Sequence, residues 1–198
     1  MKQKIINAAA VTFAVVVILL LMALFTVIEG KAQGIETIRD NAIRECVATQ
    51  YTQAIGVREA SGKNDGVDVK KYLASVKLPE GHAWCAAFVN YVLKKCGANV
   101  AGSGWSPAWF PQSRLVFNKS FGLGSNTGTL PQRGDVFGIY FPNKGRIAHV
   151  GFIDVWEESH ITTVEGNTND AGSREGDGVY KKKRLTKQIH AVANWISL

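Results

Sequence analysis

From Ile5 to Ile28 the chain is an uncharged, almost wholly apolar run, broken only by Asn7, Thr12 and Thr26. A helix needs ~20 such residues to cross the hydrocarbon core of a bilayer, so the pattern predicts a membrane-spanning helix. The core of a secretory signal is shorter, about 7–15 residues, and ends at a small-x-small cleavage site. Glu29-Gly30-Lys31-Ala32 is a poor site of that kind. Residues 1–30 are therefore read as an uncleaved anchor, with a cleaved signal peptide as the alternative. Beyond it, Ile35, Ile38, Ala42, Cys46 and Ile43, Val47, Tyr51, Ala54 recur at helical spacing. They predict an amphipathic helix over about 35–55, ending at Gly56. This makes 31–54 a helical linker and 55–198 the globular domain.

Ser61 to Gly66 is a turn cluster, and Asp68 is placed to N-cap a short helix carrying Val69, Tyr72, Leu73 and Val76. A third helix is expected from about Ala83 to Lys95. Its start, Ala83 to Val89, is apolar almost all round, as in a central buried helix, and Gly97 follows as a stop signal. Residues 101–130 are rich in Gly, Ser, Pro and Asn. From Gly134 the period changes to that of strands: Val136–Phe141, Ile147–Val155, Ile161–Val164 and Ala191–Ile196. Asn143-Lys144-Gly145 makes a hairpin of the first two. Helices followed by antiparallel strands define an α+β domain.

Composition narrows this further. A length of 198 residues suits one globular domain plus an accessory segment, and 46% apolar residues with five Trp allow a sizeable core. The net charge of +7 suits an anionic partner such as a membrane surface, a cell-wall polymer or nucleic acid. No zinc-finger spacing, RNP-like motif or base-reading basic helix supports nucleic acid. Lys181-Lys182-Lys183-Arg184 reads as a solvated strand or loop, with anionic polymer or lipid contact as the alternative. Basic residues flank the apolar run on both sides, so the positive-inside rule does not orient it. Of the three cysteines, no pair has metal-ligand spacing. Cys46 and Cys96 read as small buried hydrophobes, with a disulfide between them as the less favoured reading.

Cys85 lies at the start of the third helix, where unpaired N–H groups and the helix dipole stabilise a thiolate. It is either a nucleophile or a core cysteine. A nucleophilic cysteine needs a base. His149 sits in the otherwise apolar Arg146–Phe152 and is either that base or a satisfied core histidine. His82, three residues before Cys85, is a second candidate. Glu165 and Asn167 end the strand after that of His149, where a carboxylate or amide would orient the imidazole. The alternative for Glu165–Asn169 is a plain turn.

Together, Trp84-Cys85-Ala86-Ala87-Phe88-Val89, Pro131-Gln132-Arg133-Gly134-Asp135-Val136, Ile147-Ala148-His149-Val150-Gly151 and Val164-Glu165-Gly166-Asn167 occur in an order that resembles the CHAP family. These amidohydrolases and peptidases are relatives of papain and of NlpC-type cell-wall hydrolases. The resemblance runs from about Ile55 to Leu198. It implies a papain-like fold, with a Cys-bearing helix on an antiparallel sheet, and cleavage of an amide bond in peptidoglycan. It makes Cys85 the nucleophile, His149 the base and Glu165 the orienting residue, with Asn167 assisting that network or the oxyanion. The reaction is that of an N-acetylmuramoyl-L-alanine amidase or a peptide endopeptidase. No cofactor is implied. Some family members hold calcium near the Cys helix, but Pro79–Trp84 carries only Glu80, so no metal is expected. Trp84, Trp105 and Trp109 are candidates to line a sugar-binding groove. The expected partners are peptidoglycan and, through the anchor, a membrane, with the domain on the periplasmic or outer side. The rival reading is a non-catalytic wall-binding part of an envelope-spanning or phage assembly.

Overall fold

The computed structural model of the chain describes residues 2–98, 100, 102–119, 122–123, 130–170 and 176–197. The chain divides into two compact units, Met1–Asn41 and Ala42–Leu198. The first is helical, part of α1 (Lys2–Ala54). From Ile18 this helix holds a stretch that is long and apolar enough to cross a membrane. Its Leu20, Met22 and Phe25 are each more than half exposed. The second unit takes the last turns of α1, and residues 31–54 are helical as expected, with the boundary between the units falling within them.

In the second unit, α2 (Val67–Ser75) follows the turn cluster and buries Val69, Tyr72 and Leu73. Its N-cap is Gly66, at φ 111°, and Asp68 does not cap it. The Asp68 carboxylate instead bonds Lys71 at 2.8 Å within the first turn. The buried helix α3 spans Cys85–Lys95 and buries eight of its residues, including Phe88, Val89 and Leu93. Lys94 and Lys95 lie at its negative end. Among the described residues, seven strands then form one antiparallel sheet in the order β2-β1-β7-β3-β4-β5-β6. They are β1 (Leu115–Asn118), β2 (Gly122–Leu123), β3 (Val136–Phe141), β4 (Arg146–Trp156), β5 (His160–Thr168), β6 (Gly178–Leu185) and β7 (Ala191–Ala193). The β3–β4 hairpin forms as expected, with Gly145 in the left-handed region at φ 63°.

Alternation divides the strand residues between two faces. Val136, Phe152, Val164 and Ala193 join the core under the helices. Their neighbours Phe137, Ile153 and Val192, with Ile161, form a second cluster. Gly166 permits a close helix–sheet contact. A Cβ there would lie 2.7 Å from Trp84 Cζ3 and 2.9 Å from Phe88 Cβ. The architecture is mixed α+β. It differs from the sequence reading in three places. β1 and β2 arise within the turn-rich 101–130. The run Lys181–Arg184 is a strand with exposed lysines, as read, but its Arg184 is buried rather than solvated. The last strand stops at Ala193, after which Asn194 Oδ1 accepts the N–H groups of Ile196 and Ser197.

Cys46 and Cys96 are joined by a disulfide, with Cα atoms 5.7 Å apart. The two residues are therefore a crosslink between the end of α1 and the end of α3, not separate core side chains.

Candidate active site

Cys85 is the first residue of α3 and keeps 4% of its surface exposed. It is the one cysteine outside the disulfide. As the first helical residue, its N–H has no acceptor within the helix. The peptide group before it is fixed from the sheet, because the Trp84 N–H donates to Asn167 Oδ1 at 2.9 Å. Asn167 adopts a left-handed conformation, φ 56°, that Asn tolerates better than most residues. Its Nδ2 donates to Asn64 Oδ1 and to the Gly176 carbonyl. Asn167 is thus spent on holding the entrance of α3, and the imidazole of His149 is not among its partners.

His149, on β4, and Glu165, on β5, are both buried. His149 Nε2–H donates to Glu165 Oε2 at 2.8 Å. That bond fixes the ring and leaves Nδ1 as the nitrogen that exchanges its proton with the thiol. Nδ1 is buried and has no hydrogen-bond partner among the described residues. The thiol and the imidazole act on each other. Burial raises the Cys85 pKa, but His149, Ser106 and the Val150 backbone together bring it below its ordinary value. Burial lowers that of His149, yet Cys85 and Glu165 push it up to about 9. Both shifts favour a thiolate beside an imidazolium. The Ser106 hydroxyl lies 3.7 Å from Cys85 Sγ.

Glu165 is itself heavily bonded. Arg184 donates through Nε to Oε1 and through Nη2 to Oε2, both at 2.5 Å, and the Thr163 hydroxyl donates to Oε1 at 2.5 Å. Burial raises the Glu165 pKa, and Arg184 and His149 overcome that to hold it at about 2. The carboxylate is charged at any ordinary pH. Gly151 makes room for it, since a Cβ at 151 would lie 3.0 Å from Glu165 Cγ and 2.9 Å from the Val164 carbonyl oxygen. Phe137 Cε1 would lie equally close, 2.9 Å from that Cβ.

Arg184 and Thr163 escaped the sequence reading. The signal for Arg184 was the period of β6, in which Lys181 and Lys183 are exposed and Arg184 is buried. Its position in a run of basic residues hid that alternation. Thr163 stands two residues before Glu165 and shares its side of β5.

A cleft of about 650 Å³ opens beside Cys85, lined by Leu78, His82, Trp105, Ser106 and Arg146 among others. Of the three tryptophans expected there, Trp105 alone reaches it, with 53% of its surface exposed. Trp84 is fully buried against Tyr72, and its indole N–H donates to Glu59 at 2.8 Å. Trp109 is 2% exposed, packs edge-on against Trp195 and donates to the Ser103 carbonyl. Both are core side chains that no substrate can stack on. His82 lines the cleft but bonds the Pro79 carbonyl at 3.2 Å, and it is not among the groups that shift the thiol. Among the described residues no group of three or more His, Cys, Asp or Glu side chains is arranged to hold a metal.

Residues 77–167 match the family model of the CHAP domain. No curated protein and no solved structure matches the chain.

Proposed function

With a CHAP domain at residues 77–167 as the premise, we propose that the chain is a membrane-tethered cysteine hydrolase of papain-like fold that cuts an amide bond of peptidoglycan. The observation that carries this is the buried set of Cys85, His149 and Glu165. It combines a thiol outside the disulfide at a helix start, an imidazole whose Nε2 is fixed by a charged carboxylate, and an Nδ1 left to exchange a proton with that thiol.

Cys85 Sγ, as thiolate, attacks the carbonyl carbon of the scissile amide. The Cys85 N–H, which has no helical acceptor, is placed to donate to the developing oxyanion. His149 Nδ1–H gives its proton to the departing amine nitrogen, and the C–N bond breaks to leave a thioester. Nδ1, now unprotonated, takes a proton from water as the water oxygen attacks the thioester. The C–S bond then breaks, the carboxylic acid leaves and the thiolate–imidazolium pair returns. Glu165 holds the imidazole in one tautomer and stabilises its charged form. N-acetylmuramoyl-L-alanine amidase and peptide endopeptidase activity both fit this chemistry.

The apolar stretch of α1 supports an anchor, and the disulfide supports an oxidising compartment outside the cytoplasm. The test is digestion of purified sacculi by the full chain in detergent, with products read by mass spectrometry. New muropeptides are expected from the intact chain and none from Cys85→Ala. Equal products from both rule out the cysteine mechanism. Binding of sacculi without products from either leaves the chain a wall-binding part of a larger assembly.

A further inference from the structure

The cleft beside Cys85 has an uneven chemistry. Val76 and Leu78 give it an apolar wall, and its charged lining side chain is Arg146. The Arg146 guanidinium lies over the Trp105 ring, 4.0 Å from the ring centroid. This contact sets the plane of the guanidinium and lowers the entropy lost when it binds a planar anion. One hydrogen bond, from Nη1 to the Ile147 carbonyl at 3.0 Å, fixes it further. Among the described residues no carboxylate pairs with Arg146, so donors on its head are left for a ligand.

The ring beneath it is braced too. The Trp105 N–H donates to Ser103 Oγ at 3.0 Å, and its carbonyl accepts the Ala108 N–H. Gly104 sits so close to Leu78 that a Cβ there would come within 2.7 Å of Leu78 Cδ1. The loop is thereby held against the cleft wall. Ser106 follows Trp105 directly and approaches the Cys85 thiol, and Arg146 opens the strand that carries His149 three residues later. The Arg–Trp pair therefore shares its two backbone segments with the candidate reacting groups.

We propose that Arg146, braced on Trp105, is a subsite for a carboxylate of the peptide being cut, and so sets the position of that peptide over Cys85. A guanidinium in a fixed plane matches the two oxygens of a carboxylate. A neutral sugar or a carboxamide offers no such charge. This inference rests on the peptidoglycan reading above and narrows its substrate to peptides with a free carboxylate near the scissile amide.

The test uses binding, so that it does not depend on turnover. The full chain carrying Cys85→Ala is titrated in detergent with a synthetic wall tetrapeptide with free carboxylates, and with the same peptide converted to carboxamides. Affinity is read by calorimetry. A charge-assisted bond predicts that the acid binds about tenfold to a hundredfold more tightly. Adding Arg146→Gln brings the ratio to about one, and Arg146→Lys gives an intermediate value, because the charge remains without the planar fork. A ratio of one before Arg146 is changed overturns the subsite. So does a preference that survives Arg146→Gln, or binding of neither peptide. Cys85-dependent digestion of sacculi with no carboxylate preference removes the subsite and leaves the hydrolase standing. A carboxylate preference without any digestion does the reverse.

Discussion

The charge on Glu165 is the fixed point of the site. It is buried, and its two oxygens accept four bonds, two of them from Arg184. Its pKa of about 2 lies below the ordinary 4.5. A depressed carboxylate stabilises the fold fully above its unfolded pKa, and this is lost as pH falls from about 4.5 towards 2. Arg184→Met leaves that charge buried without its guanidinium, which typically costs about 3–5 kcal/mol. The expected result is a lower melting temperature at pH 7 and acid unfolding at a higher pH than in the intact chain. Thr163→Val removes a single donor and should cost less, roughly 1–3 kcal/mol. An Arg184→Met chain that melts like the intact one would show that the pair holds nothing together. The thiol and imidazole give a second prediction. In the proposed mechanism leaving-group protonation needs the His149 proton, and that proton is lost as pH rises through about 9. The rate of wall cleavage should therefore fall above pH 9, and a profile flat from pH 7 to 10.5 contradicts the imidazolium as the acid.

Between elements, two glycines and an asparagine set the spacing of the site. Gly166 lets α3 lie on β5, and Gly151 admits the Glu165 side chain beneath β4. Gly166→Ala drives a methyl into Trp84 and Phe88, and overpacking of this kind costs about 1–3 kcal/mol. Because Trp84 precedes Cys85, thiol reactivity towards iodoacetamide should fall together with stability. Unchanged melting and alkylation would mean the contact yields without effect. The long periodic elements were legible in the sequence, since α3, β3, β4 and the hairpin between them follow from apolar period and turn residues. Neighbouring antiparallel strands put Glu165 or Asn167 beside His149, the family resemblance chose Glu165, and it is Glu165 that accepts the hydrogen bond from His149 Nε2. Other features depend on tertiary context that a one-dimensional pattern does not carry. Trp84 and Trp109 have the composition of a sugar platform but lie in the core because each finds an internal acceptor for its indole N–H. β1 sits in a Gly- and Pro-rich segment and owes its extended form to pairing with β7. Asn167 was placed beside the imidazole by strand direction, and its left-handed φ turns it to the start of α3.

At the scale of the whole molecule, α1 carries residues of both units, and its last turns are fastened to the domain at several points. Arg44 pairs with Asp135 at 2.8 Å, Tyr51 donates to Asp154 at 2.8 Å, and Cys46 is bonded to Cys96. The disulfide spans a sequence separation of 50 residues. Closing a loop of that size in the unfolded chain stabilises the native state by about 4 kcal/mol in the chain-entropy account. The crosslink also bears on sidedness, which the basic residues on both flanks of the apolar run leave open. A structural disulfide persists in an oxidising compartment and is reduced in the cytosol. If the domain lies outside, membranes treated with an alkylating agent before lysis, then solubilised and unfolded without reductant, should yield a chain labelled at Cys85 alone. Prior reduction should raise the label to all three cysteines. Replacing Cys46 and Cys96 together with Ser should lower the melting temperature of the full chain while keeping the single reactive thiol. Three labelled cysteines without reductant would place the domain in a reducing compartment, where the crosslink does not form and peptidoglycan is out of reach.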